Sequence, residues 1–216
     1  MILKPMKALT ALALLGALAA CGNEGPGVVT RTAQAVLADR VARAQGAPET
    51  TAPARSDAER AAEALRVNPG PLIQVGFETL GQTQIMAMVG QNGAMRTYMT
   101  PSEEAVILRG GMLVGTRGLG RDLSVAEPGT EALIRAGRAG QGTRIMRYLS
   151  GDGLERPLQF ACTVAPGPQT GLMTEDCEGH GTRFQNTYAL EGGQILASRQ
   201  WVGPGLGHVT IATLRP

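Results

Sequence analysis

The 216-residue chain carries 20 Lys and Arg against 18 Asp and Glu, yet its only two lysines are Lys4 and Lys7, so from Cys21 onward 18 arginines balance 18 acids. With no net positive field there is nothing to condense on nucleic acid, no basic tract to mark an anionic lipid surface, and no lysine for a Walker A loop or a Schiff base. About 195 residues after the leader suffice for one domain with a sizeable core.

In chain order, Lys4 and Lys7 form a positive start, Ala8 to Leu18 form an apolar run, and no acid occurs before Glu24. That is the layout of a secretory signal over residues 1–20. At ~1.5 Å per residue the run falls short of a ~30 Å hydrocarbon core, so it is not a permanent span. Leu18-Ala19-Ala20-Cys21 resembles the lipobox of bacterial lipoproteins, which implies cleavage before Cys21 and acylation, palmitate included, of its sulfur and new amino group. One chain anchors only marginally and several hold firmly. Gly22 in place of Asp resembles the pattern of lipoproteins sent to the outer membrane, with the domain facing the periplasm.

Residues 21–70 read as a lipidated tether with helical character. Gly22 to Gly27 is a leash. Val29, Ala33, Val36, Leu37, Val41 and Ala44 recur at helical spacing as far as Gly46. After the Pro/Thr/Ala-rich break to Ala54, Ser56 and Glu59 make a capping-box pattern that opens a second helix ending before Pro69.

Residues 71–216 change to short runs of β-formers between turn residues. Ile73, Val75 and Phe77 alternate with Gln74, Gly76 and Glu78. Gln84 to Val89 and Met95 to Met99 flank Asn92-Gly93, a hairpin signal, and Ala105 to Leu108 meets Met112 to Thr116 across Gly110-Gly111. Further runs span 143–149, 158–164, 183–190, 194–201 and 208–214. Ala132, Leu133 and Ala136 suit one short helix between Gly129 and Gly140. Such a series predicts a mainly β fold, an antiparallel sandwich or open barrel behind a short N-terminal helical linker.

Once Cys21 is acylated, Cys162 and Cys177 remain in an oxidising compartment. Their bridge would close a loop of about 15 residues, for ~3 kcal/mol by the chain-entropy estimate. Pro166-Gly167-Pro168 and Gly171 suit a bent excursion between two strands. Zinc would require His180 and a fourth ligand to which nothing points, so no metal and no cofactor is expected.

The stretch Leu108 to Leu123, LRGGMLVGTRGLGRDL, resembles the signature of the YjbF family, the group 4 capsule polysaccharide lipoproteins. Tyr188, Gly192-Gly193, Ser198-Arg199-Gln200-Trp201, Gly203-Pro204 and Leu214-Arg215-Pro216 are similar to that family's last hairpin and Ser-x-Gln-Trp run. The resemblance covers roughly Pro71 to Pro216. Before the Thr-x-Gly step, where an arginine or another polar residue is expected, this chain has Gly115. The likeness implies a β-rich envelope protein associated with exopolysaccharide export or assembly, with no catalytic residues to transfer. Physically, Thr116, Gly118, Leu119 and Asp122 read as structural: Gly115, Gly118 and Gly120 permit positive φ or close approach, Leu119 and Leu123 plug a core, and Asp122 bonds turn amides. Trp201 reads first as core. An exposed indole beside Arg199 and Gln200 is the alternative in which these three contact glycan or a partner.

The serines at 56, 102, 124, 150 and 198 lie outside any Gly-x-Ser-x-Gly elbow, and His180 and His208 are the only imidazoles. Gly203-Pro204-Gly205-Leu206-Gly207 precedes a strand, so it is a turn rather than a dinucleotide fingerprint. Glycoside hydrolysis needs two facing carboxylates; Glu103, Glu104, Asp152, Glu155, Glu175, Asp176 and Glu178 cluster near turns as solvated charge. With the family resemblance, the expected function is a non-catalytic, lipid-anchored support for exopolysaccharide or capsule secretion. Its expected partners are the membrane, export proteins and the polysaccharide. The rivals are a lipid- or glycan-binding module with a cavity lined by Met86, Met88, Met95, Met99 and Met112, and a periplasmic glycan hydrolase.

Overall fold

The computed structural model describes residues 55–149 and 154–216. The expected leader, the expected lipidation site at Cys21, the helix expected over Val29–Ala44, Ser150 and Asp152 lie outside the described residues. Helix α1 (Asp57–Val67) starts on the expected box: the Ser56 hydroxyl accepts from Glu59 N, and the Glu59 carboxylate accepts from Ser56 N. Asp57 and Glu59 sit at its positive end and Arg66 at its negative end, both favoured by the helix dipole. The helix lies against the first, second and last strands. Arg215 holds its C-terminal carbonyls, donating to Leu65 O at 2.7 Å and to Asn68 O. The described part of the helical linker is thus docked on the β domain. Among the described residues no helix is long and apolar enough to cross a membrane.

Twelve strands follow: β1 (Leu72–Phe77), β2 (Gln82–Asn92), β3 (Met95–Met99), β4 (Ala105–Arg109), β5 (Met112–Arg117), β6 (Leu123–Pro128), β7 (Gly140–Leu149), β8 (Glu155–Pro166), β9 (Leu172–Gly179), β10 (Thr182–Glu191), β11 (Gln194–Gly203) and β12 (Gly207–Arg215). Each pairs antiparallel with its chain neighbours, except that no ladder joins β5 to β6. Instead β1 pairs with β12. The result is one up-and-down sheet curled into a nearly closed barrel with its seam at β5–β6. Full closure would remove both edges; here the last step falls to side chains.

Alternate residues point inward, as in β8, where Phe160, Cys162 and Val164 are buried between exposed neighbours. The larger apolar cluster runs from Ile73, Val75 and Phe77 through Met146 and Phe160 to Trp201 and Ile211. A smaller one gathers Met112, Val164, Met173, Tyr188 and Ile195 around Ile134 of helix α2 (Glu131–Arg135), which plugs one end of the barrel. The methionines do not line a common cavity. Met86 is core in the large cluster, Met112 is core in the small one, and Met95 is 41% exposed. Adaptable packing accounts for them.

Two strands, β6 and β9, were not expected. In β6 a bulge between Leu123 and Val125 breaks the two-residue period. In β9 an inward glutamate, Glu175, makes an alternating strand read as an acidic loop.

Candidate functional site

The signature residues converge on the seam. Thr116 Oγ1 accepts from Leu123 N at 2.9 Å and donates to Asp122 Oδ1 at 2.9 Å. The Asp122 carboxylate also accepts from Gly118 N (2.9 Å) and Leu119 N (3.2 Å), fixing the β5–β6 turn. Arg117 reaches across to the Leu123 and Ser124 carbonyls at 3.3 and 3.4 Å. Gly115 allows the close approach: a Cβ there would lie 3.4 Å from Ser124 O. Gly118 holds φ +77°, where a Cβ would stand 2.9 Å from Glu103 O. Leu119 packs against the core and Leu123 is fully buried.

The second motif closes the same edge from within. Gln200, fully buried, accepts from Leu113 N at 2.9 Å and donates to Gly111 O at 3.0 Å and Ser198 Oγ at 2.9 Å. It serves the Leu113 N–H of β5 and the Gly111 carbonyl of the β4–β5 turn just before it, on the side where β5 has no neighbouring strand. Trp201 is 7% exposed; its ring stacks on Phe184 at 4.4 Å and meets Phe160 edge-on. Neither Gln200 nor Trp201 offers a face to a sugar, because one is spent on backbone groups and the other on aromatic packing. Of the three residues considered for glycan or partner contact, only Arg199 reaches the surface, where it forms a two-pronged pair with Glu78 at 2.6 and 2.7 Å.

The interior holds a polar cluster that the sequence did not disclose. Arg144 and Glu175 are both buried and paired at 2.8 Å. Tyr188 accepts from Arg144 at 2.9 Å and donates to Glu175 at 2.8 Å. The Glu175 carboxylate also accepts from Asn186 Nδ2 (2.8 Å) and from the hydroxyl of Thr130, at the start of the plug helix. Asn186 Oδ1 then takes Trp201 N at 2.7 Å, where the β10–β11 ladder has ended. Burial alone would raise the Glu175 pKa; the Arg144 charge and the bonds from Thr130, Asn186 and Arg144 outweigh it and hold the carboxyl below its ordinary value. A signal did exist: Arg144, Met146 and Tyr148 alternate on β7, and Met173, Glu175 and Cys177 on β9, so opposite charges occupy inward positions.

Cys162 and Cys177 are register partners on β8 and β9 and form a disulfide, Cα to Cα 4.1 Å. The donor atoms of Cys162, Glu175 and Cys177 lie within 4.8 Å of one another. With the sulfurs bonded together and the carboxylate held by four partners, this is a structural core rather than a ligand set. Of the other acids considered for chemistry, Glu103, Glu155, Asp176 and Glu178 are exposed and Glu104 accepts from Gln84 Nε2 at 2.8 Å. His180 Nε2 accepts from Gln159 N at 3.1 Å, and His208 Nε2 meets Gln185 O at 3.0 Å. Burial, and then the Arg199 charge, push the His208 imidazole down.

A slot of about 740 Å³ opens beside the seam, between the β5–β6 turn, the ends of β6 to β8 and the Gly203–Gly205 turn. Tyr148 forms its floor, donating to Val202 O at 2.6 Å; burial pushes this phenol up and keeps it protonated. Its lining also includes the apolar side chains of Val125 and Leu149, 39% and 65% exposed, the cations Arg117 and Arg121, and Glu155 at the start of β8. The slot therefore joins the ends of both motif segments, although the residues that the sequence analysis picked for contact lie elsewhere.

These features define an up-and-down antiparallel barrel whose motif residues are spent on closing it. The chain belongs to the YjbF family, described as group 4 capsule polysaccharide lipoprotein gfcB, YjbF, whose model matches residues 30–214. The crystal structure of the hypothetical lipoprotein YmcC from Escherichia coli (K12) is similar, with a TM-score of 0.60 and 17% identity over 75% of this chain and 97% of that one. At that identity the likeness concerns the fold. No curated protein matches the chain.

Proposed function

We propose that this protein is anchored through Cys21 to the periplasmic face of the outer membrane and supports export or assembly of a capsule-type polysaccharide without catalysing a reaction on it. Family membership over residues 30–214 carries this reading. The resemblance of Lys4 to Gly22 to a lipoprotein signal with its lipobox supports the anchor and its destination. The geometry agrees with a supporting role, since the family motifs hold backbone groups of the seam. Its partners on this reading are the export proteins and the polymer. Deleting the gene and quantifying secreted polysaccharide tests it: yield or composition falls, wild-type protein restores it, and Cys21→Ala does not. An unchanged polymer in the deletion strain overturns the reading.

A further inference from the structure

We propose that the slot beside the seam binds an acidic segment of a glycan, a carboxylated sugar together with its neighbours. The inference rests on the reading above and names the ligand class and the site.

Charge and shape carry it. Among the described residues, no hydrogen bond or ion pair engages the exposed Arg121 guanidinium. Arg117, the second cation of the lining, bonds only backbone carbonyls. Among the described residues the adjacent carboxylate, Asp122, is committed to Thr116 and two turn amides. Among the described residues this corner of the slot therefore holds one fork-shaped donor without a bonded acceptor, Arg121, beside a second cation, Arg117, that bonds no carboxylate, a setting suited to a carboxylate ligand. Glu155, in the same lining on β8, which β7 separates from β6, is an acceptor for hydroxyls. Tyr148, Val125 and Leu149 give apolar surface for the ring faces. A bare phosphate or sulfate would use the cations and leave the apolar surface and Glu155 idle. An acyl chain would use the apolar surface alone. A carboxylated sugar uses all three, and about 740 Å³ lies within the ~300–1,000 Å³ of typical ligand sites.

The proposal is tested on the full-length protein purified in detergent, titrated calorimetrically with oligogalacturonate and with the same oligosaccharide after carboxyl reduction. The acidic form binds, at least tenfold more tightly than the reduced form, and added salt weakens it. Arg121→Glu lowers its affinity at least tenfold without shifting the melting temperature, Arg121→Lys recovers part of the loss, and Arg138→Glu, at the plugged end, changes nothing. Equal affinity for the two oligosaccharides, absence of binding, or an Arg121→Glu protein that binds as the wild type overturns the site. Failure here together with a polymer defect in the deletion strain removes the site and leaves the export role. Discrimination here with normal polymer in the deletion strain keeps the site and removes the role.

Discussion

The barrel is closed by different means on its two sides. Across β7 to β10 the ladders are continuous, a disulfide joins facing residues of β8 and β9, and the buried Arg144–Glu175 pair ties the wall to the plug helix and to β10. At β5–β6 there is no ladder, and a few side chains from Thr116, Arg117, Asp122 and Gln200 take its place. The wall concentrates covalent and ionic restraint in the interior. The seam distributes modest hydrogen bonds along an edge and, among the described residues, leaves Arg121 without a bonded partner beside an open slot. Continuous ladders and buried restraint thus mark one stretch of the sheet and a ladderless edge the other, with the slot opening where the seam meets the ends of β7 and β8.

The largest effect expected is at the wall. Glu175→Ala strands the Arg144 charge in the interior, and removing one partner of a buried pair costs about 3–5 kcal/mol. The variant is expected to unfold at much lower urea, read by circular dichroism. The pair also sets a pH dependence. Because the folded-state pKa of Glu175 is lowered, its contribution is complete above the ordinary carboxylate range, about pH 4, and is lost as pH falls through the folded value. Wild-type stability therefore drops on acidification below that range. Glu175→Gln flattens that part of the profile; an unaltered profile excludes the pair as its source.

Next is the disulfide. Its ends are 15 residues apart, a loop for which the chain-entropy estimate is about 3 kcal/mol. Cys162→Ala/Cys177→Ala, and wild type under reductant, are expected to lose comparable stability in matched urea titrations. A much smaller loss shows that ladder and ion pair alone sustain the wall.

This contrast also explains what was legible in the sequence. The elements that announced themselves were those in which local chemistry and burial agree: the Ser56–Glu59 box, the Asn92-Gly93 hairpin, and strands such as β1 with apolar residues at every second position. The cysteine pair followed from compartment and spacing. The wall's ionic core stayed hidden because solvated acid is the ordinary meaning of a run such as Thr174-Glu175-Asp176. Only the register of β9 against β10, with Asn186 opposite Glu175, shows that one of those acids points inward. The seam was legible as punctuation but not as closure, since the bond from Gln200 to Leu113 joins residues 87 positions apart. Arg121, which lines the slot, carries no local pattern at all; that it bonds to none of the described residues is visible only in the fold.

Seam substitutions come third in size. Gln200→Ala leaves the buried Leu113 N–H without its partner and frees the half-buried Gly111 C=O, a penalty of about 1–3 kcal/mol. Asp122→Ala removes the acceptor of two turn amides at a half-buried position and is expected at the low end of that range. Amide exchange should separate the two sides: both variants speed exchange in β5 and β6 while β7 to β10 remain protected, in line with cooperative units that open separately. Uniform loss of protection would show that seam and wall open together.

The smallest effect is expected at the surface pair Arg199–Glu78, where bonds of 2.6 and 2.7 Å look strong on distance alone. Both side chains are about 40% exposed, and water screens such pairs to about 0.2–1 kcal/mol. A double-mutant cycle of Arg199→Ala and Glu78→Ala, read from urea midpoints, should give a coupling inside that range and declining with salt. A coupling near that of the interior pair would mean that this corner of the barrel is far drier than its exposure implies. Burial, rather than bond length, would then no longer distinguish the wall's ionic core from its surface.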